Sequence, residues 1–244
     1  MESFSLVAPY YETLMRSVPY GMWLEYLRLH WSLAGIEPKT VLEVCCGTGK
    51  LSRMLAQEGY GVQGVDKSEA MIHEARDLAA SEGLSIPFHC ADAAQLEIDC
   101  TFDAGFSFFD SLNNIVEIGQ FRAALANVRR HLNPGGHFLF DLNTAFAFEQ
   151  GMFDQEESDP DEPIRYRWRS SWDSGTRICT IHMEFQTADS RFEETHVQRA
   201  YTEGEVVEAM LTAGFVEVGL YDSYTLNRPH SRSDRVHVSG KAPS

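Results

Sequence analysis

Residues 41–55 constrain the fold of this chain more than any other stretch. Val41-Leu42-Glu43-Val44-Cys45-Cys46 is a short apolar run, Gly47-Thr48-Gly49 follows at once, and Leu51, Met54 and Leu55 then recur at helical spacing. A strand, a glycine turn and a helix in that order open a βαβ unit. The glycines let backbone approach a ligand closely, and the helix N-terminus beyond them offers unpaired N–H groups. Taken alone, such a turn suits a phosphate, a carboxylate or no ligand at all.

The pattern then repeats. Residues 59–66 read as a second strand ending in an acid, and residues 69–81 as a second helix with Ser68 as its N-cap. Residues 86–91 read as a third strand, followed by Asp92. Residues 102–109 read as a fourth, apolar on both faces as the centre of a parallel sheet demands. A helix over 117–131 carries Phe121, Leu125 and Val128 on one side. Asn133-Pro134-Gly135-Gly136 is a turn, and 137–142 a fifth strand. Strand alternating with helix specifies an α/β sheet, with its ligand crevice outside the carboxyl ends of the strands.

The flanks differ. Residues 1–36 read as helical, with Leu14, Val18, Trp23, Tyr26, Leu27 and Trp31 at helical spacing and a break at Pro19 and Gly21. Residues 149–162 are acidic and read as a solvated, mobile loop, removable at little cost to the fold. Residues 163–187 and 191–201 alternate aromatic or β-branched with polar residues, as antiparallel strands do. A helix over 203–213 closes at Gly214, and 215–222 and 235–239 are the last strands. The expected organisation is one domain over 1–244. It has a helical cap (1–36), a core (37–144 and 203–244) and an inserted β segment (145–202).

Charge and composition remove several function classes. A formal net charge of −16 opposes binding to nucleic acid or anionic lipid. No apolar stretch approaches the ~18 residues of a membrane span, and the N-terminus has no leader pattern. The five cysteines, Cys45, Cys46, Cys90, Cys100 and Cys179, form no disulfide framework. Cys45 and Cys46 are expected on opposite faces of a strand, which suits no metal. All five read as reduced, small, buried residues of a cytoplasmic protein. No metal-ligand set stands out.

Three acids and turns fall at the ends of neighbouring strands. Asp66 is placed to accept from ribose hydroxyls, or to cap a helix. Asp92 with the N–H of Ala93 matches an adenine edge, or is a plain loop acid. Past the fourth strand, Phe108-Phe109-Asp110-Ser111-Leu112-Asn113 puts Asp110 and Asn113 at the crevice.

These motifs, in this order, resemble the class I methyltransferases that use S-adenosylmethionine (SAM). The matching pieces are VLEVCCGTG (41–49), GVDKSEAMI (64–72), CADAAQL (90–96), FDAGFSFFDSLNNI (102–115) and LNPGGHFLFDLNT (132–144). APYYETLMRSVPYGMWLEYL (8–27) and EETHVQRAYTEGEVVEAMLTAGF (193–215) resemble a small-molecule subgroup. That subgroup usually has Asp after the tyrosine, where this chain has Glu12. The resemblance implies a Rossmann-like, seven-stranded, mostly parallel sheet with helices on both faces. Its last strand would be antiparallel, and a small antiparallel sheet and the N-terminal helices would form a lid.

The resemblance also implies roles. Gly47 and Gly49 would pass under the methionyl part of SAM, supported by Glu43. Asp66 would hold the ribose, Lys67 and Met71 would flank the adenine, and Asp92 with Ala93 would read its edge. Tyr20 and Trp23 would sit near the methionyl carboxylate or the sulfonium. The expected cofactor-binding set also includes Cys45, Thr48 and Phe108. Tyr11, Asp110 and His196 are the candidates for a general base. Asn113, Asn143, Trp168, Trp172 and Arg199 are the candidates for holding the acceptor, with Tyr166 and Tyr201 beside them. A nitrogen of a small molecule is the expected acceptor, with oxygen also open, and the expected assembly is a monomer or homodimer. Two other readings share these residues: a SAM-binding protein without catalysis, and a nicotinamide-dependent oxidoreductase. The latter's third fingerprint glycine would fall on Ser52.

Overall fold

The computed structural model describes residues 4–159 and 161–244. Residues 1–3, at the start of the expected helical cap, and Pro160, in the acidic stretch, lie outside the described residues. The N-terminal segment is helical in two pieces, α1 (Tyr11–Leu14), preceded by a 3-10 turn at Ala8–Tyr10, and α2 (Tyr20–Leu33). Pro19 is the N-cap of α2, and Gly21 lies inside that helix rather than breaking it. The alternation follows as β1 (Thr40–Val44), α3 (Lys50–Gln57), β2 (Gly61–Asp66), α4 (Glu69–Ser81), β3 (Phe88–Cys90), β4 (Phe102–Ser107), α5 (Ile118–Arg130) and β5 (Leu132–Asn143). Then come α6 (Ala145–Glu149), β6 (Gln155–Glu157), β7 (Arg165–Asp173), β8 (Ile178–Gln186) and β9 (Arg191–Arg199). The chain closes with α7 (Glu203–Thr212), β10 (Val216–Asp222) and β11 (Arg235–Lys241). Ser68 caps α4, and Thr202 with Glu205 forms a capping box on α7.

Seven strands form one sheet in the order β10-β11-β5-β4-β1-β2-β3. The pairs β1/β2, β1/β4, β2/β3 and β4/β5 are parallel, while β11 runs antiparallel to both β5 and β10. Alternation along the strands divides the core between two faces. Leu42, Phe138 and Phe140 pack with Phe121, Leu125 and Val128 of α5 and with Val206 and Met210 of α7. Val41, Ala104, Phe106 and Leu139 face the other way, onto Trp23, Leu24 and Leu27 of α2 and Leu51 and Leu55 of α3. A second sheet, β6-β7-β8-β9, is wholly antiparallel and comes from the segment between β5 and α7.

The structure departs from the sequence expectations at element ends. Strand β1 stops at Val44, because Cys45 takes φ +58°. Cys45 and Cys46 therefore leave the strand, with Cys46 buried against Ile72, Ala75 and Phe88 and Cys45 half-buried at the edge of the core on the other face. Burial holds fully for Cys46 and Cys179, whereas Cys90 is exposed and Cys45 and Cys100 are half-buried. Strand β4 ends two residues early, where Phe109 and Asp110 adopt φ +69° and +48°. The Asn133–Gly136 turn is absorbed into β5, and the β4/β5 register shifts beside it. The acidic stretch is not a loose loop. Phe153 stacks on Phe148 at 5.3 Å, Asp154 accepts from the backbone and hydroxyl of Ser170, and β6 adds an edge strand to β7. Among the described residues, no helix is long and apolar enough to cross a membrane.

Candidate active site

The carboxyl ends of β1, β2, β3 and β4 open on one cavity of about 610 Å³. That volume lies within the roughly 300–1,000 Å³ of small-molecule sites. Its inner end is built from backbone and short side chains. The Gly47 N–H donates to Asp66 Oδ2 at 2.9 Å, and the Ser68 N–H donates to Oδ1 at 2.9 Å, so the acid joins two strand-end loops. Asp92 accepts from the Ala94 N–H at 2.8 Å. A Cβ built at Gly47, where φ is +53°, meets no atom within 4 Å, whereas one at Gly49 would meet the Phe88 ring at 2.6 Å. The first glycine keeps the cavity floor clear and the second permits close packing.

Buried charges hold this turn from behind. Glu43 accepts from the Ser52 N–H at 2.9 Å and from the Ser52 hydroxyl. Burial, only partly offset by those bonds, pushes its carboxyl up to about 7. Arg53, 2% exposed, donates to the Thr48 carbonyl at 2.6 Å and pairs with Glu12 and Glu82. The Thr48 hydroxyl donates to Glu12 at 2.7 Å. Glu12, the residue at which this chain departs from the subgroup, thus ties α1 to the glycine turn.

The outer end is built from side chains that lie far apart in sequence. Glu194 accepts from the N–H groups of Phe4, Leu6 and Val7 at 2.8, 2.9 and 3.1 Å, and bonds His196 Nε2 at 2.8 Å. Burial opposes its charge, yet these bonds hold its carboxyl below the usual range. The Phe4 ring lies 4.1 Å from the His196 ring, centroid to centroid. Asp110 accepts from Gln198 Nε2 at 2.8 Å and from Arg235 Nη2 at 2.9 Å, while Arg235 Nη1 pairs with buried Asp141. Burial first, then Tyr20 and the Asp110, Asp66 and Glu12 carboxylates, raises the Tyr11 phenol well above its ordinary value.

The expected site residues divide by this geometry. Cys45, Gly47, Asp66, Lys67, Met71, Asp92 and Ala93 border the inner end, and Tyr11, Asp110, Asn143, Trp168 and His196 also border the cavity. Glu43, Thr48 and Gly49 lie in or behind the turn. Tyr20, Trp23 and Phe108 stand further back, where Trp23 packs on Phe108, Phe109 and Tyr224. Asn113 is fully buried and clamps the backbone of Asn143 and Arg199. Trp172 stacks on Phe148, and Arg199 turns away to Glu205 and the Val116 carbonyl. Tyr201 stacks on Phe121. Sequence reasoning missed Glu194, Gln198 and Arg235. Glu194, His196 and Gln198 share one face of β9 by period-two spacing, the one signal that links them.

Comparison with known proteins bears on the family and the fold. Residues 41–136 match the family model of a methyltransferase domain. The chain is 32% identical, over 94% of its length and 93% of the relative's, to the protein named "Putative methyltransferase YqeM" of Bacillus subtilis. The chain belongs to the class I SAM-dependent methyltransferases. It shares its fold with the S-adenosylmethionine-dependent methyltransferase of Clostridium acetobutylicum, with a TM-score of 0.86 over 100% of both chains at 24% identity. It also shares the fold of the sugar N-methyltransferase KedS8 of Streptoalloteichus sp ATCC 53650, with a TM-score of 0.79 over 95% of this chain and 91% of the other at 19% identity. This methyltransferase is therefore an enzyme, with SAM as cofactor. Family membership supports the methyltransferase reading over the oxidoreductase and the non-catalytic SAM binder. The inner end fits SAM on its own chemistry. A bare glycine floor and carboxylates on two adjacent strand ends suit a cationic, ribose-bearing ligand.

Proposed function

We propose that this methyltransferase moves the methyl group of SAM to a nitrogen of a small-molecule acceptor. The observation that carries the reading is the continuity of one cavity, from Gly47, Asp66 and Asp92 at the strand ends to His196 and Trp168 on the second sheet. The likeness to a sugar N-methyltransferase supports nitrogen as the atom. The backbone of Gly47 and Gly49 would run under the methionyl part, with Glu43 and Thr48 holding the turn. Asp66 would take the ribose hydroxyls, Lys67 and Met71 the adenine faces, and Asp92 with the Ala93 N–H its edge. Cys45 borders the same end. Tyr20, Trp23 and Phe108 brace the wall.

Bound SAM supplies a methyl group already activated by the positive charge on sulfur. The protein's task is to hold the acceptor nitrogen in line, at about 3–3.5 Å from the methyl, and to exclude water. A nitrogen arriving as ammonium must first lose a proton. His196 is the proposed base, because donation of its Nε2–H to Glu194 leaves the Nδ1 lone pair to accept. Tyr11 keeps its proton and acts as a donor. Asp110, with a Gln198 amide on one oxygen and Arg235 on the other, is a positioning residue. Asn143 and Trp168 would face the acceptor, while Asn113, Trp172 and Arg199 support them. The free cysteines fit a reducing, cytoplasmic setting.

Calorimetry should detect SAM binding, and a labelled methyl group should pass to an amine with release of S-adenosylhomocysteine. A protein that binds no SAM, or that methylates only hydroxyl acceptors, would overturn this reading.

A further inference from the structure

We infer that the acceptor is an amine with an aromatic or hydrocarbon body and no anionic group, an inference that rests on the methyl-transfer reading above. The first ground is the charge of the cavity wall. Apart from Asp66 and Asp92, which the cofactor would cover, the carboxylates of Asp110, Glu117 and Asp234 border it, against the cations Lys67 and Arg235. Lys67 follows Asp66 at the inner end. Arg235, on β11, gives one guanidinium nitrogen to Asp110 at 2.9 Å and the other to Asp141. An acceptor carrying phosphate or carboxylate would shed its water among like charges, with its nearest guanidinium already neutralised. An amine or ammonium meets no such penalty.

The second ground is the surface offered to the acceptor's body. Phe153, Tyr166, Trp168, Met183 and Phe185 border the cavity from the second sheet and the segment leading into it. Flat aromatic faces and an adaptable thioether stack on and fill around a planar apolar body.

The reaction itself fits the same field. The amine lone pair forms the new N–C bond, the C–S bond breaks, and its electron pair stays on sulfur as a neutral thioether. Positive charge moves from sulfur to nitrogen and the total is unchanged, so a carboxylate-rich wall stabilises reactants and products alike. When the acceptor enters as ammonium, His196 takes its proton first and passes it to solvent. Transfer to an oxyanion would extinguish both charges, and would require an anion to enter this wall beforehand.

The test uses the whole protein loaded with S-adenosylhomocysteine and three calorimetric probes: tryptamine, indole-3-acetate and a nucleoside-diphosphate amino sugar. Tryptamine should bind at least tenfold tighter than either anion. Equal or tighter binding of an anion, or no binding of tryptamine, overturns the inference. Failure to load S-adenosylhomocysteine instead sinks the methyl-transfer reading, and the inference with it. Trp168→Ala should weaken tryptamine at least fivefold with S-adenosylhomocysteine affinity within twofold, and Trp168→Phe should restore most of the loss. Tryptamine affinity unchanged in Trp168→Ala would remove the aromatic ground.

Discussion

The two ends of the cavity are built on different principles. At the inner end the contacts are short and local to adjacent strands: Gly47 N–H to Asp66, Ser68 N–H to Asp66, Ala94 N–H to Asp92. Backbone supplies the floor, so in the proposed function SAM would be read by main-chain shape and two carboxylates. At the outer end the contacts join residues far apart in the chain, such as Glu194 to Phe4, Gln198 to Asp110 and Arg235 to Asp110. Side chains supply that wall, so single substitutions can re-shape it. If the proposed function holds, a cofactor site made of backbone and an acceptor site made of side chains would let one fold keep its reagent while changing its substrate.

The largest test of that contrast is Gly47→Val. Its side chain enters the cavity floor rather than the protein, because no atom lies within 4 Å of a built Cβ. Positive φ costs the fold about 1–2 kcal/mol, which a domain of ~5–15 kcal/mol survives. SAM affinity should fall ~100-fold or more, about 2.7 kcal/mol. Gly49→Ala should do the reverse. Its methyl would strike Phe88, costing about 1–3 kcal/mol by overpacking in addition to backbone strain, so the loss appears in melting temperature. Calorimetry and thermal melts of both variants check this. Normal SAM binding by Gly47→Val would contradict the close-approach account.

Asp66→Ala comes next. It removes a carboxylate proposed to hold the ribose, and it also frees the Gly47 and Ser68 N–H groups. SAM binding should weaken by roughly 1–3 kcal/mol, while hydrogen exchange at residues 4–8 stays unchanged. Unaltered SAM affinity would refute the ribose assignment. Loosened exchange at residues 4–8 would show that the two ends are not separable.

The same contrast explains what could be read from sequence. Gly47, Asp66 and Asp92 each end a strand whose apolar pattern is visible over a few residues, and the strand ends bring them together. The alternation of strands and helices, the antiparallel insertion and the capped helices were legible for the same local reason. Cys45, Phe109 and Asp110 were not, because their positive φ values end strands that the apolar pattern would continue. The edge strand at Gln155–Glu157 was hidden by its acids, which read as solvated, although one of them, Glu156, is answered by Arg167 and Arg169 on the neighbouring strand. His196 could be proposed from residue type alone. Its partner Glu194 could not, because the bonds that define Glu194 come from backbone N–H groups nearly two hundred residues away. Trp168 and Trp172 share a strand face by spacing, yet one borders the cavity and the other packs on Phe148, a choice made by tertiary contacts.

Glu194→Gln probes the outer end in isolation. The amide keeps the shape but loses the charge that accepts from three N–H groups and His196. Docking of residues 4–7 should weaken by about 1–2 kcal/mol, read as faster hydrogen exchange there. SAM affinity should stay within about twofold, roughly 0.4 kcal/mol. Unchanged exchange would mean that packing of Phe4 and Val7 alone holds the segment.

The smallest effect belongs to Glu156, on the edge strand of the second sheet. Its carboxylate meets Arg167 at 3.0 Å and Arg169 at 2.8 Å, but all three side chains stand in solvent. Exposed pairs gain little over hydration and are screened by salt. Glu156→Ala should leave the melting temperature and SAM affinity unchanged. Deleting residues 153–157 differs in kind, because it removes the Phe153–Phe148 stack, the Asp154–Ser170 bonds and the β6/β7 pairing together. That deletion should lower the melting temperature and weaken tryptamine binding, since Phe153 and Gln155 border the cavity. If the deletion were as silent as Glu156→Ala, the strand would be decoration and the outer wall would rest on β7, β8 and β9 alone.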